Sequence, residues 1–272
     1  MSSLKLSALC ALLFSLTIGC NNLEFSPNQS FDRNSPIDLN AKNIAKLNNN
    51  INNTDDTVRF ILTGDTQRSY DQARAMIAVV NKNYPKLNFV LLNGDISDFG
   101  LLQEMEWVTK IYEDLKAPYI TVIGNHDLVA NGLNTYKRMF GPLNFSFIFK
   151  KVKFILHDNN GREYNFNGKI PDLDWISKEI QTDNSVNAIV AVGHIPPTST
   201  DYDAKLKDGY ETLLNSNSKV VASFHAHENT NKIHFADSGP VPFITSNAVT
   251  NREFLYVEIA NGKLLKYDPI SY

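Results

Sequence analysis

The chain has 272 residues, 43% of them hydrophobic and sixteen of them Phe, which suffices for one ordinary or large domain or for two small ones. A net charge of -3 provides no global basic field, so no nucleic-acid partner is expected from charge. The two cysteines, Cys10 and Cys20, both lie in the first twenty residues, which excludes an internal disulfide or a thiolate zinc site in the rest of the chain.

Residues 1–19 read as a signal peptide. One lysine precedes an apolar run from Leu6 to Ile18, too short to span a bilayer comfortably. Gly19-Cys20 at its end resembles a bacterial lipoprotein cleavage site, although Leu16 stands one place earlier than usual. That resemblance implies export, a lipid on Cys20 and anchoring to the membrane at the cell envelope. An ordinary secretory signal and an uncleaved anchor are the alternatives. Residues 20–56 are rich in Asn with weak apolar periodicity, as expected of a tether about 30 Å in mean span. A short amphipathic helix around Ile37 to Leu47 would be marginal alone.

From 57 to 272 the texture is that of a folded domain. "VRFILTGD" is an apolar run of strand length ending in Gly-Asp. "RSYDQARAMIAVVNKNYP" carries Ala73, Ile77, Val80 and Tyr84 at helical spacing and ends in Pro. "LNFVLLNGD" repeats the strand pattern, "LLQEMEWVTKIYEDL" reads as a helix, and "APYITVIGNHD" as a third strand. This alternation predicts an α/β sheet with parallel strands. "NFSFIFKKVKFILHDNN" then reads as a hairpin with a solvated tip at Lys150, Lys151 and Lys153. "PDLDWISKEIQ" reads as a helix capped by Asp172 or Asp174. "NAIVAVGHIPP" and "KVVASFHAH" are strands that end in His, and the tail is antiparallel, with Asn261-Gly262 as a two-residue turn. Trp107 and Trp175 suit helix core faces.

Five strands thus end in polar groups: Asp65 with Gln67, Asp95, Asn125 with His126, His194, and His225 with His227. In an open α/β sheet, sites form at the carboxyl ends of strands. These oxygen and imidazole donors suit two ions of Mn, Fe, Zn or Mg, with Asp95 able to bridge them. His225 and His227 lie two apart, so both serve one site only if the strand ends between them and the turn re-aims one.

The ordered set "GDTQ", "GDISDFG", "GNHD", "VGHIPP" and "HAH", running from about Val58 to Val249, resembles the calcineurin-like metallophosphoesterases. The resemblance implies a two-sheet β-sandwich flanked by helices (an αββα arrangement) and metal-dependent hydrolysis of a phosphorylated small molecule, monoester or diester. By the same resemblance, metal one would take Asp65, Gln67, Asp95 and His227, and metal two Asp95, Asn125, His194 and His225. His126 would sit beside the phosphate and protonate the leaving oxygen; Asp127 would orient His126 or its loop, or cap the next turn. Three positions depart from the family pattern. Gln67 stands where His is common, as in a Gln-containing subset. Phe224 replaces a Gly before the last His pair. Asp98 stands where purple acid phosphatases have a Tyr ligand, so no Tyr ligand is expected. Gln67 and Phe224 motivate an alternative, a catalytically weak or inactive surface lipoprotein that binds metal or a phospho-ligand. A third reading, an adhesin or interaction lipoprotein, rests on the leader and tether alone. Arg68 and Arg162 read as surface arginines. Tyr136, Lys137, Arg138 and Tyr202 are minor candidates for substrate contact.

Overall fold

The computed structural model describes residues 30–49 and 55–272. The expected signal peptide and Cys20 lie outside the described residues. Among the described residues, no helix is long and apolar enough to cross a membrane.

Three parallel strands, β1 (Val58–Thr63), β2 (Phe89–Asn93) and β3 (Tyr119–Val122), alternate with α2 (Tyr70–Asn83) and α3 (Leu102–Tyr112). The hairpin β10 (Glu253–Ala260) and β11 (Lys263–Ser271) joins β1 antiparallel, giving the order β11-β10-β1-β2-β3. The second sheet begins with β4 (Phe145–Phe149), β5 (Val152–Leu156) and β6 (Ala188–Val192). It continues with β7 (Val220–His225), β8 (Lys232–Phe235) and β9 (Pro242–Thr245), in the order β4-β5-β6-β7-β9-β8. Strands β5, β6, β7 and β9 are parallel, and antiparallel β4 and β8 form the edges. Strands β2 and β6 are buried along their whole length, which is why they read as unbroken apolar runs.

Alternate side chains divide between two layers. Phe60, Leu62, Leu91, Phe154, Val190 and Phe224 fill the space between the sheets. Phe60 stacks on Phe89 at 5.3 Å and meets Phe154 and Phe224 edge-on at 5.6 Å. Each such ring contributes roughly 1.5–3 kcal/mol on full burial. On the outer faces, Ile61, Val90 and Leu92 pack under α2, α3 and α4 (Gly132–Met139). Ile155, Ile189 and Ala191 pack under α5 (Leu173–Glu179) and α6 (Ala204–Asn215). The result is the helix–sheet–sheet–helix sandwich. Asp172 is the cap of α5, accepting from Trp175 N at 3.0 Å. Asn261 (φ 54°) and Gly262 (φ 72°) make the left-handed pair of the β10–β11 turn.

Several expectations need correction. Part of the segment read as tether belongs to the fold: α1 (Leu39–Asn49) lies along the free edge of β3 and buries Leu47 in the core. Asn40 Nδ2 donates to Thr121 O at 3.1 Å while Thr121 N donates to Asn40 Oδ1 at 2.8 Å. Asn43 Nδ2 donates to Tyr119 O at 2.8 Å. The asparagines thereby complete an edge strand that would otherwise be open. Asn40→Ala strands two buried backbone groups and should cost about 1–3 kcal/mol, read as a lowered urea midpoint.

Trp107 is not a core residue; it is 48% exposed and meets Tyr70 edge-on. Trp175 is partly buried against the α5–α6 layer. At the lysine tip Lys151 is exposed as expected, but Lys150 donates to Thr57 O at 3.0 Å and Lys153 reaches Glu179 at 2.7 Å. Tyr136 and Tyr202 are buried, so neither reaches a substrate as placed.

Candidate active site

The carboxyl ends of β1, β2, β3, β6 and β7 converge, and their loops present the polar groups. Asp65, Asp95 and His227 have φ of 54°, 53° and 68°, a left-handed conformation costly for such residues and stored where side chains must be aimed. Strand β7 ends at His225, and His227 is re-aimed by the turn that follows. Phe224 keeps extended strand geometry with its ring in the inter-sheet core, so replacing a Gly there leaves the strand undistorted. Two glycines allow the loops to meet. A Cβ at Gly94 (φ 84°) would overlap the His194 ring, and one at Gly124 would overlap the Asp95 carboxylate.

Asp95 is the hub. Its Oδ1 accepts from His126 N at 3.0 Å. Its Oδ2 lies 3.4 Å from Gln67 Nε2 and 3.2 Å from His194 Nε2, the latter without hydrogen-bond alignment. Asp65 Oδ2 accepts from His227 N at 3.3 Å, and Asn125 Oδ1 lies 3.0 Å from His227 Nδ1. Asp95, His194 and His227 can each present one ligand atom within 4.8 Å of the others. His225 is fully buried and is not part of that group; its Nε2 lies 2.9 Å from Ser223 Oγ.

His194 Nδ1 donates to Asn93 O at 2.6 Å, which turns Nε2 toward Asp95. His126 Nδ1 lies 3.0 Å from the Asp98 carbonyl oxygen, and its half-exposed ring stands at the mouth. The Asp127 carboxylate is hydrogen-bonded to groups other than the His126 ring. It accepts from Ser97 N, Ser97 Oγ and Gly124 N at 2.8–2.9 Å and so ties the loops after β2 and β3 together. Asp98 binds Arg68, whose Nε donates to Asp98 Oδ2 at 2.6 Å. Arg68 is therefore anchored at the site's rim and is more than a loose surface arginine.

The charges are strongly perturbed. Burial opposes ionisation of Asp95, but the adjacent His194 and then His126 hold its carboxyl down near 2. Burial disfavours charge on His194, yet Asp95 lifts it to about 10. Burial pushes Asp65 up to about 7, with His194 opposing and Asp95 adding to the rise. Burial and then the Asp95 charge raise Asp127 to about 6. His225 falls to about 3 through burial and the neighbouring His157.

Motif reasoning missed Asp201. Its Oδ2 lies 3.2 Å from His227 Nε2, and Arg162 grips its Oδ1. The surrounding "TSTDYD" is an ordinary polar loop, and only its place after the His194 strand singles it out.

The profile of the calcineurin-like phosphoesterase family matches residues 58–230. A probable cyclic nucleotide phosphodiesterase of Xenorhabdus bovienii is 23% identical over 168 residues, 54% of this chain and 63% of that protein. The match thus leaves more than a third of that relative's length uncovered. A dimetal phosphatase from Danio rerio superposes with a TM-score of 0.59 at 14% identity, over 79% of this chain and 99% of that one. A purple acid phosphatase from yellow lupin (Lupinus luteus) seeds gives 0.60 at 11% identity, over 79% of this chain and 54% of that one. These two share the fold. With its motif-bearing strand ends inside the matched span, the chain belongs to the calcineurin-like phosphoesterase family.

Proposed function

We propose that the protein hydrolyses phosphate esters with two divalent ions held by Asp65, Gln67, Asp95, Asn125, His194, His225 and His227. The observation that carries this reading is the convergence of Asp95, His194 and His227, each able to present a ligand atom within 4.8 Å of the others, with Gln67 Nε2 3.4 Å from the Asp95 oxygen that faces His194. The charge balance agrees. In the metal-free cluster a protonated His194 supplies the positive charge beside Asp95, so metal uptake should release a proton.

Divalent ions bound there would acidify water and offset charge growing on the phosphoryl oxygens. The protein's own groups do the rest. Asp95, whose Oδ2 lies between Gln67 of one proposed ligand set and His194 of the other, would serve both ions. Asp127 holds the loops of Asp95 and Asn125 in register. His126, fixed through Nδ1 by the Asp98 carbonyl, is placed to hand a proton to the departing oxygen. The relative's name makes cyclic nucleotides the first diesters to try, beside simple aryl diesters and monoesters. Export and a lipid on Cys20, with the protein anchored at the cell envelope, belong to the same proposal and rest on the leader sequence.

A second reading, binding without turnover, draws on Gln67, whose Nε2 rather than Oε1 faces Asp95. Elemental analysis of Mn²⁺-loaded protein separates the readings in combination with an assay. Two ions per chain with turnover support the two-metal reading. Two ions without turnover favour the binding protein, and a chain that retains none contradicts the two-metal reading.

A further inference from the structure

Phe99 is 52% exposed. A lone exposed ring is ordinary on a protein surface, but this one is held in place beside two groups of the site. From the first turn of α3, Glu104 Oε2 accepts from Phe99 N at 2.9 Å and from Asp98 N at 3.2 Å, which fixes the loop that carries the ring. The Arg68 guanidinium lies over the ring, 5.7 Å from its centroid. Asp98 connects that guanidinium to His126. Its Oδ2 accepts from Arg68 Nε at 2.6 Å and also meets Nη2, while its Oδ1 lies 3.7 Å from His126 Nδ1. Asp98 thus takes the Nε–Nη2 edge of the guanidinium, and the Nη1 hydrogens remain on a side chain that is 71% exposed.

We propose that Arg68 and Phe99 form a subsite beside His126 for a phosphate ester whose alcohol carries a flat ring. Arg68 meets a phosphoryl oxygen and Phe99 stacks on the ring. The subsite rests on the proposed phosphoesterase reading and adds to it the class of alcohol. His126 sets the direction, because a proton donor stands on the side of the departing oxygen. Phe99 directly follows Asp98, whose carbonyl lies 3.0 Å from His126 Nδ1, so the ring belongs to that side. Both groups are fixed before any ligand arrives, Arg68 by Asp98 and Phe99 by Glu104, which lowers the ordering cost of binding. An apolar partner would cover the ring and strand the arginine's charge; a ring-bearing phosphate engages both. Stacking on an aromatic side chain tolerates every base, so the subsite selects for a ring rather than for one base.

AMP and ribose 5-phosphate differ by the adenine alone, and they are the probes. Their inhibition constants are read from initial rates of bis-p-nitrophenyl phosphate hydrolysis by Mn²⁺-loaded protein. AMP should bind at least about fivefold more tightly than ribose 5-phosphate. Phe99→Ala should erase the preference by weakening AMP alone, and Phe99→Tyr should keep it. Arg68→Ala should weaken both ligands about 10–100-fold and leave their ratio unchanged. Circular dichroism should show all three variants folded, since both side chains are exposed. Equal affinity of the two ligands for wild type, a preference that survives Phe99→Ala, or wild-type affinities in Arg68→Ala would each overturn the subsite. If the wild type shows no turnover, the same two ligands are titrated by calorimetry. An adenine preference lost in Phe99→Ala then upholds the subsite and sinks hydrolysis alone, whereas binding of neither ligand overturns both.

Discussion

Asp95→Asn should lower kcat/KM at least about 10³-fold, equivalent to about 4 kcal/mol of lost transition-state stabilisation, while the fold survives. The asymmetry follows from what Asp95 does. Its Oδ1 accepts one backbone N–H, from His126, and an amide oxygen can still accept that bond. The carboxylate charge serves the cluster: it draws His194 up to about 10 and lies between Gln67 and His194. An amide has one oxygen to offer and no charge, so it cannot offset two cations. Once the carboxylate is gone, His194 no longer has reason to hold a proton, which limits the buried-charge penalty that breaking such a pair otherwise brings. Circular dichroism and elemental analysis should therefore show a folded protein that has lost bound metal. Wild-type hydrolysis by this variant would contradict the placement of Asp95 at the hub.

His126→Ala should have a different signature. A positioned proton donor is worth about 10²–10⁴-fold in rate, and only where the leaving oxygen needs the proton. Turnover of alkyl phosphodiesters should fall by that factor. Turnover of p-nitrophenyl esters should fall far less, since that phenolate departs unaided. Metal content should hold, because the described contacts of the His126 ring are with Asp98. An equal loss on both leaving groups would assign His126 to substrate or metal binding instead.

Several strands were legible because buried parallel strands leave runs such as "FVLLN" and "AIVAV", each followed within two residues by Asp95 or His194, while the two-sheet arrangement came from the motif resemblance. Asn261-Gly262 marked its turn because the pair takes φ above zero cheaply. Helix α1 was not legible as part of the fold. Its buried face includes Asn40 and Asn43, which read as solvated polar residues until β3, some eighty residues away, supplies backbone groups for them. Trp107 misled in the opposite direction: helical spacing implied a core face, and the structure leaves the residue 48% exposed. At the site, motif order located the ligand candidates, but the second contacts of His194 and His227 depend on the three-dimensional path: Asn93 O and Asp201 come from separate segments, whereas Ser223 lies two residues before His225 on the same strand face.

The most direct test of the metal-centred account is hydrolysis of bis-p-nitrophenyl phosphate by purified protein stripped of metal and then given Mn²⁺. Activity absent from the stripped, folded protein and restored by the ion is the predicted result. Full activity that persists after stripping would contradict the account.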